Sequence, residues 1–138
     1  MVKLEGGCLC GAVRYRSTAD PVMTLLCQCE QCQRHSASAF SLNIGFAKAT
    51  LMFTGDTPAT YEHKGGSGKT VHRHFCAKCG SPIVTELDST PELDWLKAGT
   101  LDDKSWLRPD LSIFGSEGQV WLTLPDGMPQ FPKAPPAA

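Results

Sequence analysis

The sequence predicts an all-β domain with short helical turns, and three observations support this fold class. Several short segments alternate apolar and polar residues, as half-buried strands do. Turn residues such as Gly55-Asp56 and Gly65-Gly66 separate these segments. No window keeps an apolar period of about 3.6 residues over three helical turns, so a long amphipathic helix is not expected.

The elements can be placed in chain order from these patterns. The predicted strands are residues 12–17, 42–46, 51–54, 70–75, 82–87, 95–98 and 120–123. The best helical candidate is short and runs from Glu30 to Ser38, directly after a group of cysteines. Residues 91–94 and 102–106 are each compatible with a single helical turn.

Length and proline distribution indicate one domain followed by a short tail. A chain of 138 residues suits a single domain with its own core. Five prolines lie in residues 125–138, and proline cannot donate a ladder hydrogen bond, so this segment is predicted to cross the surface and then fray. We therefore predict a single domain over residues 1–131 and a Pro/Ala-rich tail over residues 132–138.

Composition and charge exclude several classes of protein. Hydrophobic residues make up 41% and charged residues 20%, which is ordinary for a globular protein. The formal net charge of -1 gives no bulk attraction to nucleic acid or anionic lipid, so neither is an expected partner. The first residues lack the apolar stretch of a signal peptide, and no apolar run approaches the roughly 18 residues of a membrane span. We expect a cytoplasmic protein.

Seven cysteines fall in three clusters and carry most of the functional information. In a reducing compartment such clusters indicate metal ligands or catalytic thiols rather than disulfides. An odd number also leaves one cysteine over in any full set of intramolecular disulfides. The clusters are Cys8-Leu-Cys10, Cys27-Gln-Cys29-Glu-Gln-Cys32 and Cys76-Ala-Lys-Cys79.

The first and third clusters are predicted to combine into a closed four-cysteine zinc site. Cys76 and Cys79 precede Gly80, whose freedom at positive φ lets both sulfurs point at one ion. A redox role for this pair needs a helix starting at the motif, whereas Ser81-Pro82 and a predicted strand follow. Two more sulfurs complete a tetrahedron, and Cys8 and Cys10 are the natural partners.

The central cluster has a different pattern, because it offers three thiolates and no evident fourth ligand. Three protein ligands with an open position are typical of a catalytic zinc. The alternatives are that Cys27, Cys29 and Cys32 are free thiols, or that a histidine closes the site. The candidate histidines are His35, His63, His72 and His74, with His35 the most credible. Thiolate ligands also suit Cu(I) or iron, but zinc is the favoured ion, two per chain.

The ordered motifs resemble the glutathione-dependent formaldehyde-activating family, also called the CENP-V/GFA family. The resemblance extends over residues 4–131. Its landmarks are Gly6-Gly-Cys-Leu-Cys-Gly-Ala-Val-Arg-Tyr15, Cys27-Gln-Cys-Glu-Gln-Cys-Gln-Arg34, Ser38-Ala-Phe40, Arg73-His-Phe-Cys-Ala-Lys-Cys-Gly-Ser81, Ala98-Gly-Thr-Leu-Asp-Asp103, Trp121 and Leu124-Pro-Asp-Gly-Met-Pro-Gln-Phe131.

The resemblance implies an Mss4-like β-tent of antiparallel sheets stapled by zinc. It implies that Cys8, Cys10, Cys76 and Cys79 hold a structural zinc and that Cys27, Cys29 and Cys32 hold a catalytic zinc. It also implies reversible addition of glutathione to formaldehyde. Two positions depart from the family pattern, which usually has His at Gln28 and Gly at Ala37.

The predicted function is a zinc-dependent carbon–sulfur lyase-type reaction between a small-molecule thiol and an aldehyde. The thiol takes the open position, where a soft ligand matches the thiolate set. Ser36, Ser38 and His35 are candidates for proton transfer. The rival classes are a non-catalytic zinc module that binds a macromolecule and a thiol redox enzyme that uses Cys27, Cys29 or Cys32. A homodimer is compatible with the sequence.

Nearby cations should offset the thiolate charge. Three thiolates and one dication sum to -1, and four thiolates and one dication sum to -2. Arg34 and Lys78 lie beside the motifs, and Arg14 and Arg73 lie on adjoining predicted strands. All four are most simply interpreted as solvated surface charges, and Arg34 and Lys78 are the favoured partners of the thiolates.

Overall fold

The computed structural model describes residues 3–135. Within that range the chain forms ten strands and one α-helix, α1 (Glu30–Ser36). The strands are β1 (Leu4–Gly7), β2 (Val13–Ser17), β3 (Met23–Cys27), β4 (Ser41–Ala47), β5 (Met52–Gly55), β6 (Ala59–Lys64), β7 (Thr70–Phe75), β8 (Pro82–Leu87), β9 (Leu93–Lys97) and β10 (Leu111–Ile113). Short 3-10 turns at Ala98–Thr100 and Gly115–Glu117 follow β9 and β10.

These strands build two sheets. The larger has seven strands in the order β10-β3-β4-β9-β8-β7-β6, and the smaller has three in the order β1-β2-β5. Neighbouring strands are antiparallel except at one edge, where β10 runs parallel to β3. The predicted all-β fold of antiparallel sheets is confirmed, with this one parallel pair added. Between residues 3 and 135, no helix combines the length and the apolar character that crossing a membrane requires.

The two faces of the larger sheet bury different apolar clusters. One face shares the main core with the smaller sheet, where Val13 of β2 joins Ile44 and Leu96. The opposite face carries a second cluster built around Cys27 and Trp95. Because side chains alternate along a strand, adjacent residues of β9 serve the two clusters separately.

Most of the predicted elements are present, and the largest shift in a strand boundary is two residues. Two strands coincide with their predicted bounds, at Thr70–Phe75 and Pro82–Leu87. The helix begins at Glu30 as predicted and ends two residues early, because Ala37 adopts a left-handed conformation (φ 54°). The predicted single turns at 91–94 and 102–106 are wrong, since β9 already begins at Leu93 and residues 102–106 form no helix.

The predicted strand at residues 120–123 is also wrong. Val120 and Trp121 lie in a turn, and Val120 is fully exposed. Nothing packs over these apolar side chains within residues 3–135, so their pattern has no sheet to support it. The N–H of Ser112 donates to the carbonyl of Pro129, and the N–H of Phe114 donates to that of Lys133. The proline-rich segment therefore crosses the surface as predicted, held along β10, while residues 136–138 of the predicted tail lie outside the described range.

Candidate metal centres

The four cysteines of the first and third clusters converge on one point. Their Sγ atoms all lie within 4.8 Å of one another, although Cys10 and Cys76 are 66 residues apart in the chain. Cys8 and Cys10 follow β1 in a turn that Gly11 closes at φ 82°. Cys76 and Cys79 lie in the turn between β7 and β8, which ends at Gly80 (φ 79°). Both turns use a conformation that suits glycine and few other residues.

The geometry of this four-cysteine cluster fits a tetrahedral metal ion. Thiolates at the usual Zn–S distance of about 2.3 Å stand about 3.8 Å apart at the corners of a tetrahedron. Cys10 Sγ lies 3.6 Å from Cys8 Sγ and 3.7 Å from Cys76 Sγ. Four thiolates fill all corners, so an ion held here has no free position.

Polar groups around the same cluster favour the thiolate form. The N–H of Val13 donates to Cys8 Sγ at 3.2 Å. The hydroxyl of Ser81, followed by backbone N–H groups of Ser81 and Cys10, lowers the pKa of Cys79 to about 5. These contacts prepare the sulfurs to bind a cation, since the ligand form of cysteine is the thiolate.

The central cysteines form a second cluster at the junction of β3 and α1. Cys27 is the last residue of β3, Cys29 caps the N-terminus of α1, and Cys32 lies in its first turn. The N–H of Cys32 donates to Cys29 Sγ at 3.3 Å, so this sulfur takes the role of an N-cap side chain. The three Sγ atoms lie within 4.8 Å of one another. The structure brings this three-cysteine cluster together as predicted from its spacing.

The three-cysteine cluster has no fourth His, Cys, Asp or Glu ligand among the described residues. In residues 3–135, no histidine or carboxylate lies close enough to all three sulfurs to join the group. Elsewhere, His72 pairs with Glu62 and Asp88, while His74 contacts Thr60 and Glu86. The hypothesis that a histidine closes the site is thus not supported by the geometry.

The glutathione-dependent formaldehyde-activating enzyme (GFA) family matches residues 3–117 of the 138-residue chain. The chain belongs to the GFA family. A curated protein of Halomonas elongata, provisionally named as a glutathione-dependent formaldehyde-activating enzyme, is 30% identical over 103 residues. That match covers 72% of this chain and 66% of the relative, so the chain spans just under two thirds of the relative's length. A crystal structure of a Rhodobacter sphaeroides protein shares the fold, with a TM-score of 0.57, 20% identity and coverage of 77% of this chain and 92% of that one.

In this GFA-family chain the three central thiols hold their protons unequally when no ion is bound. Hydrogen bonds from Cys27 and Cys32 keep the pKa of Cys29 far below its ordinary value. The converse holds for Cys27, whose pKa is raised because its proton is shared with Cys29 and Cys32 and because it is buried. Cys29 is therefore the thiol of this coupled group that loses its proton most easily, and a bound cation would displace the remaining protons.

Two buried cations lie on the same face of the large sheet as Cys27, and sequence analysis missed both. Lys97 is 8% exposed, and Nζ donates to Ser41 Oγ at 3.0 Å and to Asn43 Oδ1 at 2.7 Å. Burial lowers its pKa to about 8, against the opposing effect of the Cys32 thiolate. Arg73 is 5% exposed and donates from Nε to His63 Nε2 at 2.8 Å.

The sequence contains a usable indication of these two cations. Strand alternation places Lys97 on the face of Trp95, and the same alternation on β7 places Arg73 on the face opposite to the half-buried histidines at 72 and 74. The interpretation of Arg73 as a solvated charge is wrong. β7 lies inside the sheet between β6 and β8, and the residues directly paired with Arg73 are Tyr61 and Thr85.

The cations expected beside the cysteines have other roles. Arg34 is exposed and pairs with Glu30 one helical turn earlier, away from the sulfurs. Lys78 pairs with Asp56 at 3.1 Å on the surface, and the thiols of Cys10 and Cys76 contribute to raising its pKa. Lys78 thus lies near the four-cysteine cluster, whereas Arg34 contributes only an exposed ion pair.

The two departures from the family pattern have local explanations. Gln28 is buried against the turn after β10, where a Cβ at Gly118 would lie only 2.0 Å from Gln28 Oε1. Ala37 caps α1 in the left-handed conformation, and its N–H donates to the carbonyl of Arg34. Glycine adopts this conformation more easily than alanine, which accounts for the glycine usually found there.

Proposed function

We propose that this protein is a zinc-dependent carbon–sulfur lyase-type enzyme. It adds a small-molecule thiol of the glutathione type to an aldehyde of the formaldehyde type and catalyses the reverse reaction. The observation that supports this proposal is the three-cysteine cluster, whose sulfurs converge without a fourth donor from residues 3–135. Family membership supplies the substrate class, since the family is named for glutathione and formaldehyde.

The donor chemistry supports zinc as the ion at both clusters. Thiolate-only ligand sets suit zinc, and the sulfur spacing of the four-cysteine cluster matches its tetrahedral bond lengths. Cys8, Cys10, Cys76 and Cys79 would hold a structural ion. Cys27, Cys29 and Cys32 would hold the second ion with one position open. When bound there, zinc lowers the pKa of a thiol at the open position and fixes its sulfur.

The reaction is an addition with a simple balance. The carbon–sulfur bond forms as the carbonyl π bond breaks, and the proton that leaves the thiol ends on the new hydroxyl oxygen. The reverse reaction breaks the carbon–sulfur bond and returns that proton. The protein therefore needs a group that holds a proton between sulfur and oxygen.

His35 is the best candidate for this group among the three that the sequence offers. It lies three residues after Cys32 on the same side of α1, and within residues 3–135 no hydrogen bond contributes to the pKa of its ring. Burial and then the charge of Arg73 lower its pKa to about 4, so the ring is neutral and able to accept. The hydroxyl of Ser36 instead donates to the carbonyl of Phe40, and Ser38 is exposed.

The decisive experiment compares wild-type protein with Cys32→Ser after loading with zinc. We expect the variant to fold, to retain one zinc per chain instead of two, and to lose turnover of glutathione with formaldehyde by at least 100-fold, because it lacks one of the three ligands. Rates are measured by NMR exchange between the free and added aldehyde, and zinc is measured by elemental analysis. An unchanged rate in Cys32→Ser would remove the three-cysteine cluster from the mechanism.

A thiol redox enzyme is a second candidate, favoured by the low pKa of Cys29 in the absence of an ion. It predicts one zinc per chain and a reaction that consumes a reductant. Two zinc ions per chain, with turnover that needs no reductant, would support the lyase-type proposal instead. The proposed chemistry requires reduced thiolates, so we place the protein in the cytoplasm.

A further inference from the structure

We propose that Arg73, supported by Thr85, forms a carboxylate-binding subsite on the same sheet face as the three-cysteine cluster, so that the preferred thiol carries a carboxylate. This inference rests on the proposed function and specifies its substrate class. It follows from the position, the burial and the unused hydrogen-bond donors of Arg73.

The register of the large sheet places Arg73 and the cysteines on one face. Cys27 pairs with Ser41, and Asn43 on the same strand pairs with Lys97. Two residues before Lys97, Trp95 pairs with Thr85, which in turn pairs with Arg73. Positions that are paired directly or separated by two share a face, so a continuous row connects Cys27 to Arg73.

Arg73 is a buried cation that lacks a counter-ion. Only 5% of it is exposed, and within residues 3–135 no Asp or Glu side chain forms an ion pair with it. In the described residues 3–135, its one side-chain hydrogen bond runs from Nε to His63. His63 is neutral in this contact, because its Nε2 accepts from Arg73 while Nδ1 faces the Lys64 carbonyl at 3.1 Å.

The His63 contact fixes the guanidinium, and among the residues that the structure describes no hydrogen bond is made by its Nη groups. His63 is itself held by stacking on Tyr61, with ring centroids 5.7 Å apart. Buried charges are normally paired, and the two Nη groups of a guanidinium match the two oxygens of a carboxylate. An anion is therefore the ligand that this side chain lacks.

Thr85 gives a second, independent indication of the same ligand. It is 4% exposed, and its Oγ1 is enclosed without a hydrogen-bond partner in the described chain. It lies directly opposite Arg73 on the neighbouring strand and on the same face. A carboxylate oxygen bound by Arg73 would offer this hydroxyl an acceptor, which a buried hydroxyl requires.

Lys97 lies between Cys27 and Arg73 in this row and has a different role. Its Nζ already donates to two neutral oxygens, and its charge acts on Cys32, Cys27 and Cys29. Three thiolates and one dication carry -1, which the ammonium of Lys97 offsets. Arg73 is then the unmatched charge on this face, and a bound carboxylate neutralises it.

The test measures binding rather than turnover, using protein loaded with Co²⁺ as a spectroscopic substitute for zinc. Glutathione and its diethyl ester, which lacks both carboxylates, are titrated while the cobalt–thiolate absorption is followed. We expect wild-type protein to bind the acid at least tenfold more tightly than the ester. Arg73→Gln should abolish this preference while leaving ester affinity unchanged.

Matched variants separate a binding role from general damage. Arg34→Gln removes an exposed arginine of α1 and should keep the wild-type preference. If Arg73→Gln fails to fold, Arg73→Lys decides the question, because it keeps the charge and loses the paired donors. A reduced preference in Arg73→Lys supports the subsite, and the full wild-type preference in either Arg73 variant overturns it.

The outcomes also separate this inference from the proposed function. A preference for the acid that depends on Arg73, without any turnover of aldehyde, would retain the subsite and reject the lyase-type reaction. Turnover with equal affinity for acid and ester would retain the reaction and reject the subsite.

Discussion

At the scale of single residues, the site depends on polar side chains that the sheet has buried. His35 and Lys97 are examples, and besides the larger effect of burial the charge of Arg73 lowers the pKa of both. The cysteines could be found from spacing alone, because ligand spacing is a local property of the chain. The buried cations could not, because their burial depends on strands that pair over long distances in the sequence.

His35 should make the protein sensitive to acid. The unfolded chain protonates this ring below about pH 6.5, whereas the folded chain does so only below about pH 4. The unfolded state therefore binds more protons in this window, and the free energy of unfolding falls as pH drops from 6.5 to 4. Because the ring is only half buried, we expect a contribution of about 1–2 kcal/mol.

The measurement is urea unfolding of wild-type protein and His35→Gln at pH 7 and near pH 4. The difference between the two proteins isolates His35 from the cysteines, which titrate in both. At the lower pH, the free energy of unfolding of the wild-type protein should fall relative to that of His35→Gln. A constant difference between the proteins across this range would show that the ring is not protected from protonation.

At the scale of elements, the structure explains which strands could be predicted. β7 and β8 contain β-branched residues between turn residues, and both were predicted with their full bounds. β3 is buried at four of its five positions, so its sequence has no alternation to detect. β10 has three residues and depends on partners on both sides, from β3 and from Gln130. Short or fully covered strands are defined by their neighbours rather than by their own pattern.

The C-terminus of α1 offers a direct test of local strain. Ala37 has φ 54° and is not glycine, so the left-handed conformation costs about 1 kcal/mol or more. Ala37→Gly removes that cost but increases the entropy of the unfolded chain. We expect a net stabilisation of roughly 0.5–1 kcal/mol, measured by chemical denaturation.

Ala39→Gly is the matched control for this prediction. Ala39 is buried and does not have a positive φ, so glycine there loses a packed methyl group and gains only chain entropy in the unfolded state. It should destabilise the protein by about 1 kcal/mol. Two variants with the same chemical change and opposite signs would establish that backbone conformation decides the effect. Destabilisation in both would argue against strain at Ala37.

At the scale of the whole molecule, the two cysteine clusters should differ in their effect on stability. The four-cysteine cluster joins the turn after β1 to the turn after β7, and Cys10 and Cys76 are 66 residues apart in the sequence. A link across that distance restricts the unfolded chain by about 4 kcal/mol. In zinc-loaded protein, Cys79→Ser should lower the free energy of unfolding by several kcal/mol, as measured by guanidinium denaturation.

Cys32→Ser is the control for that experiment, because it breaks the local cluster. The three ligands of that cluster lie within one six-residue segment. Losing the three-cysteine cluster should therefore change the free energy of unfolding much less than Cys79→Ser does. Equal losses in the two variants would contradict the assignment of separate structural and catalytic roles.

The central cysteines lie close together in the sequence, so they can also bind metal in the denatured protein. Cys27, Cys29 and Cys32 stay within a few residues of one another even in an unstructured chain, so they can chelate an ion before or after the fold exists. An ion that binds both states gives folding little thermodynamic bias. Excess metal in solution should thus promote refolding mainly through the four-cysteine cluster, whose sulfurs come together only in the folded protein.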